Sequence, residues 1–124
     1  MNIQPIKNPV AFCYKNILKT LWLNGELPTV EKGIYGGILK PDIVTLEHIK
    51  PKSKGGLTKL DNLALATKEL NELRGNKPLR FFLDKDKFIE YIEQFEKIEL
   101  PNFNGKEYIR NLIKTIIDTL EMGK

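Results

Sequence analysis

A loop-forming run separates two short apolar segments in the middle of the sequence, and this arrangement strongly restricts the local fold. The chain from Ile38 to Ile49 is rich in β-branched residues, which favours a strand. Pro51 ends that strand, and the run from Lys52 to Gly56 has the composition of a loop. The apolar run Leu63 to Ala66 is too short for a helix and long enough for a strand. The sequence therefore predicts a strand, a loop and a second strand in succession.

A short helix is predicted directly after the second strand. Thr67 is a favourable N-cap residue, because its hydroxyl can accept a hydrogen bond from a free backbone N–H of the first turn. Gly75 follows Arg74 at the position where a helix commonly ends, and Pro78 stands shortly afterwards. We predict a helix from Thr67 to Arg74.

Helices are also predicted on both sides of this central unit. Apolar residues recur at helical spacing after Asn8 and Pro9, and Asn24 with Gly25 stops them. Asp84 can cap a helix that closes at Pro101, and Asn104 can cap a final helix whose apolar face closes the core or forms a dimer seam. We expect one α+β domain over residues 1–124, with a central core at about 42–78 and helical flanks at about 8–24 and 84–122.

Composition excludes several classes of protein. The 124 residues are 41% hydrophobic, which suffices for one modest core. The single cysteine, Cys13, can form no intramolecular disulfide and cannot supply a four-ligand structural zinc site. The sequence contains no apolar run of roughly eighteen residues and no secretory signal at its start, so we expect a cytosolic protein with no membrane partner.

Positive charge is concentrated in the middle of the chain. The net charge is +4, but residues 50–80 hold eight basic and three acidic side chains, a local excess of +5. A basic segment between nearly neutral ends is typical of a surface that meets phosphates, although a charged run can also be only a solvated face.

The same segment contains an ordered set of residue types. It runs from Glu47-His48 through Pro51-x-Ser53-x-Gly55-Gly56 and Asn62-Leu63 to Asn71-x-x-Arg74-Gly75-Asn76. This set resembles the ββα-metal motif of the HNH endonuclease family, over roughly Asp42 to Pro78. Any fragment of the motif is weak evidence, whereas the ordered set is specific. The resemblance implies a small ββα-metal core of the HNH, or His-Me finger, type.

The residues themselves offer the groups that phosphodiester hydrolysis needs, namely a base to deprotonate water and a cation to stabilise the developing charge. A lone histidine is more often structural, but His48 is the one side chain here whose ordinary pKa suits a general base near neutral pH. Glu47 precedes it on the predicted strand and points to the opposite side, so it can bind a metal while His48 addresses the water.

The resemblance assigns the remaining roles. It makes Asn71 the second metal ligand, and it makes Asn62 the residue that holds the loop and orients His48, although Asn62 could also be only a turn residue. Carboxylate and amide oxygens favour Mg²⁺ or Mn²⁺, with Ni²⁺ or Zn²⁺ as alternatives. The basic residues expected to contact DNA phosphates, without reading sequence, are Lys50, Lys52, Lys54, Lys68, Arg74 and Lys77.

The sequence departs from the family pattern at three points. Many family members have aspartate where Glu47 stands, and others have histidine where Asn71 stands. Many also hold a structural zinc with paired cysteines, where this chain has Thr67 and Leu70. We therefore expect no structural zinc, and the apolar faces at both ends of the chain must replace its stabilising contribution.

Two functions follow as expectations. The first is a metal-dependent endonuclease, nicking or cutting DNA in the cytoplasm of a bacterial or phage-infected cell, with His48 as base. The second is a catalytically silent module that binds nucleic acid or a protein, for example as a phage or defence-related accessory or inhibitor. A homodimer or a protein partner could use the C-terminal helices. Every catalytic position of the motif is filled, which favours the enzyme.

Overall fold

The computed structural model describes residues 10–122, and it describes side chains from Ile17 onward. The helices and strands in chain order are α1 (Val10–Leu23), β1 (Val44–His48), β2 (Leu63–Thr67), α2 (Lys68–Arg74), α3 (Leu79–Phe82), α4 (Lys85–Glu93), β3 (Glu99–Leu100), β4 (Phe103–Asn104) and α5 (Gly105–Met122). The fold is α+β, as expected. Between residues 10 and 122, no helix combines the length and the apolar character needed to cross a membrane. The predicted cap of the first helix, Asn8 with Pro9, lies outside the described residues.

The central hairpin pairs β1 with β2 in antiparallel register, with His48 opposite Leu63 and Val44 opposite Thr67. The predicted succession of strand, loop, strand and short helix is confirmed. The first strand is shorter than the β-branched run, because the backbone N–H groups of Ile43 and Val44 both donate to Lys40 O, at 3.0 and 2.9 Å. That turn separates Ile38 and its neighbours from β1.

The loop between the two strands depends on its glycines. Gly55 has a φ of +87°, in the left-handed region that favours glycine. A Cβ on Gly56 would lie 1.8 Å from the carbonyl oxygen of Lys50, a separation that no relaxed structure allows. The loop therefore folds back tightly on the residues that follow His48.

The short helix α2 returns along β1. Thr67 caps it as predicted, because the Thr67 hydroxyl accepts a hydrogen bond from Leu70 N at 3.3 Å, and Gly75 with a φ of +51° ends it. The backbone N–H of Lys68 donates to Ile43 O at 2.7 Å, and at the other end Arg74 reaches His48 O at 3.2 Å. The helix thus spans β1 from its start to the end that bears His48.

The C-terminal half differs in detail from the prediction. Asp84 caps α4, accepting from Lys87 N at 3.0 Å, but α4 ends at Glu93 and not near Pro101. The side-chain amide of Gln94 bonds the backbone of Glu31 and Lys32 at 2.8 to 2.9 Å, and the chain then turns into the β3–β4 hairpin. The short helix α3 is a further element that the sequence pattern does not predict.

The final helix α5 closes the core, one of the two alternatives that the sequence left open. Asn104 Oδ1 accepts from Glu107 N at 2.9 Å, which is one half of the predicted capping box. Tyr108, Leu112 and Ile116 recur at helical spacing and are buried. They pack into one continuous hydrophobic cluster with α1, β2 and α4.

Two tyrosine hydroxyls complete the hydrogen bonding of β2 on the edge away from β1. Tyr91 of α4 accepts from Leu65 N at 2.9 Å, and Tyr108 of α5 donates to Leu63 O at 2.8 Å. The two hydroxyls lie 2.8 Å apart, and burial raises the pKa of both tyrosines above the ordinary value. On the same edge, Leu65 O accepts from Ile34 N at 2.9 Å. Strand β2 is therefore hydrogen-bonded along both of its edges, to β1 on one side and to these groups on the other.

Candidate functional site

His48 ends β1 with its side chain half-buried. Its Nε2 atom lies 2.9 Å from the hydroxyl oxygen of Thr58, a residue of the loop between the strands. Burial lowers the pKa of His48 below its ordinary value of 6.5, the positive charge of Lys52 lowers it further, and Glu47 opposes both. The imidazole is therefore neutral near pH 7 and able to accept a proton.

Asn62 fixes the loop that packs beside His48. Its Oδ1 accepts from Lys50 N at 2.9 Å, while its Nδ2 donates to Lys50 O at 3.1 Å and to Leu57 O at 2.8 Å. The side chain is buried, so these bonds have no competition from bulk water. Asn62 contacts the backbone around the histidine, since Ile49 N also donates to Asn62 O at 3.0 Å, and the imidazole itself contacts Thr58.

Glu47 belongs to a buried charged cluster. Its Oε2 accepts from Arg74 Nη1 at 2.9 Å and from the hydroxyl of Tyr35, and Arg74 Nη1 also lies 3.1 Å from that hydroxyl. The exposed fractions are 5% for Glu47, 2% for Arg74 and 4% for Tyr35. Burial and the neighbouring Glu47 carboxylate raise the pKa of Tyr35, so its hydroxyl stays protonated and donates. Glu47 lies on the face of β1 against which α2 packs, and His48 lies on the opposite face.

The candidate metal ligands lie on two neighbouring elements, Glu47 on β1 and Asn71 on α2. Asn71 lies one turn before Arg74 on α2, and its Nδ2 is 3.5 Å from Leu46 O, next to Glu47 on β1. Glu47 Oε1 and Asn71 Oδ1 accept no hydrogen bond from the side chains and backbone that the structure describes. Two hard oxygen donors fit Mg²⁺ or Mn²⁺. Water and substrate must supply the other ligands, since residues 17–122 contain no cluster of three or more His, Cys, Asp or Glu.

Arg74 does not lie where a surface phosphate contact requires. Its Nε donates to Lys77 O at 3.1 Å, and its Nη1 donates to Glu47, Tyr35 and His48 O. With 2% of its surface exposed, the side chain holds α2 to the end of β1. That Arg74 also contacts a DNA phosphate stays a prediction.

The predicted lysines fall into two groups. Lys50, Lys52 and Lys54 lie in the loop that follows His48. Lys68 follows Thr67, which pairs with Val44 at the start of β1, and four residue steps along the strand separate Val44 from His48 by about 13 Å. Lys77 is exposed, and its Nζ caps the end of α2 by donating to Leu73 O at 2.7 Å. The loop lysines therefore share the neighbourhood of His48, and Lys68 does not.

Sequence reasoning missed two side chains of the site. Thr58 is the direct partner of His48, yet a threonine in a glycine-containing loop has nothing in sequence to distinguish it. Tyr35 binds Glu47 and Arg74, and its ring meets Phe82 edge-on at 4.8 Å. In the sequence, its position before Gly36-Gly37 indicates only a change towards extended structure.

Comparison of the chain with models of known protein families, with curated proteins and with solved structures finds no match.

Proposed function

We propose that this chain is a metal-dependent HNH-type endonuclease that hydrolyses phosphodiester bonds in DNA, with His48 as the general base. The observation that carries the proposal is the convergence of the three motif segments on one end of β1. Asn62 holds the loop there through Lys50 and Leu57, and α2 reaches the same end through the contact of Arg74 with His48 O. Residues far apart in sequence are thereby fixed around the histidine.

His48 has the protonation state and the hydrogen bonding that a general base needs. Its lowered pKa keeps the ring neutral at pH 7. When Nε2–H donates to the Thr58 hydroxyl, Nδ1 carries the lone pair that takes a proton from water. Thr58 therefore orients the ring, and Asn62 fixes the loop that carries Thr58.

A divalent cation held by Glu47 and Asn71 would act as a Lewis acid that stabilises charge on the phosphate and on the leaving oxygen. Phosphates of the substrate meet the loop lysines Lys50, Lys52 and Lys54, whose contacts set position without reading bases.

The decisive experiment is cleavage of supercoiled plasmid with Mg²⁺, Mn²⁺ or Ni²⁺, comparing the wild type with His48→Ala and Asn71→Ala. We expect the wild type to nick or linearise the plasmid and both variants to lose at least about a hundredfold in rate, as expected for loss of a general base. Asn102→Ala is the matched control, because Asn102 is exposed in the β3–β4 turn. Cleavage at equal rates by wild type and His48→Ala would reject the proposed site.

The buried ion pair favours a second candidate, a catalytically silent nucleic-acid-binding module. Glu47 already has Arg74 and Tyr35 as partners, and a chain that never binds metal would keep this arrangement. That candidate predicts salt-sensitive DNA binding by the folded wild type without cleavage in any of the three metals. Binding that is unchanged in His48→Ala would complete the case for it.

A further inference from the structure

We propose that a basic cavity beside the candidate site binds a phosphate group, supplied by the nucleic-acid strand that the site acts on. The cavity has a volume of about 240 Å³ and lies between the loop after β1, the segment from α2 to α3 and the last turns of α5. Its cationic lining residues are Lys54, Arg74 and Arg80, and we call it the Arg74 cavity. That a strand supplies the phosphate rests on the proposed function, whereas binding of phosphate does not.

The Arg74 side chain is a fixed part of the cavity wall. Nε and Nη1 make all the hydrogen bonds that Arg74 forms with the described residues, and Nη2 makes none of them. Arg74 is 98% buried and lines this cavity. A guanidinium held in place by three described partners on Nη1 and one on Nε therefore borders a basic space.

Lys54 and Arg80 add charge at the mouth of the cavity. Both side chains are exposed, and the Arg80 guanidinium lies 4.5 Å from the centre of the Phe81 ring, a cation–π contact that limits its movement. Arginine donors match the oxygens of a phosphate group in number and geometry. The three cations thus line one space from one loop and two short helices.

The lining of the cavity carries no negative side chain, since its residues, all within the described range, include no Asp or Glu. The last turn of α5 also lines the cavity, and its carbonyl oxygens oppose an anion. Thr119 donates its hydroxyl to Thr115 O at 2.7 Å, so it offers no donor. Lys54 and Arg80 have no ion-pair partner among the described residues, and their charges provide the attraction.

The position of the cavity explains why a nucleic-acid phosphate is the expected ligand. Arg74 donates from Nη1 to His48 O at 3.2 Å, and the same side chain lines the cavity. The cavity therefore begins one side chain away from the end of β1. A phosphate held there would belong to the same strand as the bond presented to His48, and would fix the position of that strand.

The test is a titration of the metal-free protein with inorganic phosphate, followed by backbone amide NMR, for the wild type and four variants. Lys54→Gln and Arg80→Gln change the cavity. Lys114→Gln and Arg110→Gln are the matched controls, because both residues are exposed on α5 away from it. We expect phosphate to shift the amide signals of Lys54, Arg80 and Thr119. Each cavity variant should weaken binding about tenfold or more, and the controls should not.

A second arm adds a single-stranded oligonucleotide to the phosphate-loaded protein. Displacement of phosphate by the oligonucleotide supports a strand phosphate as the ligand. In addition, the slope of log K for oligonucleotide binding against log salt concentration should become shallower by about 0.7 for each cavity cation removed. Phosphate binding without displacement supports the cavity as a phosphate site and rejects the strand as its source. Absence of amide shifts at the cavity, or equal phosphate affinity in wild type and cavity variants, overturns the proposal. Neither arm requires metal or cleavage, so both can be interpreted even if the protein proves to have no nuclease activity.

Discussion

Replacing Arg74 with methionine should destabilise the protein far more than loss of an ordinary ion pair. The Glu47 carboxylate is 5% exposed and would lose the one cationic partner that it has among the described residues, while Tyr35 would remain as its donor. An uncompensated buried charge costs about 3–5 kcal/mol. Domains of this size are stable by about 5–15 kcal/mol, so the substitution removes a large fraction of the total. For a chain of this length the loss corresponds to a fall in Tm on the order of 10–20 °C.

Urea unfolding followed by the fluorescence of Trp22, the single tryptophan, measures this effect. The matched control is Glu90→Gln, because Glu90 pairs with Lys32 at 3.4 Å while their side chains are 55% and 46% exposed. That pair should contribute about 0–1 kcal/mol. The double variant Glu47→Leu with Arg74→Met should recover much of the lost stability, since it removes both charges together. A loss below about 1 kcal/mol in Arg74→Met, or no recovery in the double variant, would refute this reasoning.

Four further predictions concern the site and its support. Lys52→Gln should raise the pKa of His48 towards 6.5, because it removes a nearby positive charge; NMR titration of the single histidine measures this directly. Because the folded pKa of His48 lies below the unfolded value, the folded state should lose stability as pH falls through 6.5 towards the folded pKa, and cleavage should rise with pH over the same window. Thr58→Val should lower the cleavage rate about tenfold or more, whereas Thr58→Ser should retain it. Tyr91→Phe should cost about 1–3 kcal/mol in urea unfolding, because Leu65 N loses its acceptor.

For each of the three substitutions, one result would contradict the expected outcome. An unchanged histidine pKa in Lys52→Gln would show that the two charges do not interact. Equal rates for Thr58→Val and wild type would remove Thr58 as a positioning residue. Stability within about 0.5 kcal/mol of wild type in Tyr91→Phe would show that water or another group replaces the hydroxyl.

Local chemistry made the central unit predictable. Thr67, Gly75 and the Gly55-Gly56 pair act through contacts with nearby backbone, so sequence spacing alone locates them. The role of Asn62 in holding the loop also depends on residues close by in the chain, Lys50 and Leu57.

The sequence does not reveal contacts between residues that lie far apart along the chain. The charge of Arg74 predicts a surface position, but Tyr35 and Glu47, 39 and 27 residues away, give it buried partners. The predicted end of α4 likewise comes too late, since Gln94 contacts backbone more than 60 residues earlier. Periodicity and capping carry no information about such contacts.

The two tyrosine hydroxyls on β2 have a consequence for how the chain can be divided. Leu63 O and Leu65 N are satisfied by Tyr108 and Tyr91, which arrive from α5 and α4. An excised segment of residues 42–78 would leave these backbone groups open on an unprotected strand edge, ready to pair with another chain. The motif segment therefore does not fold as an independent unit. The C-terminal helices complete its core and also cover the strand edge that could otherwise pair with another copy. A shortened chain that lacks these helices should aggregate.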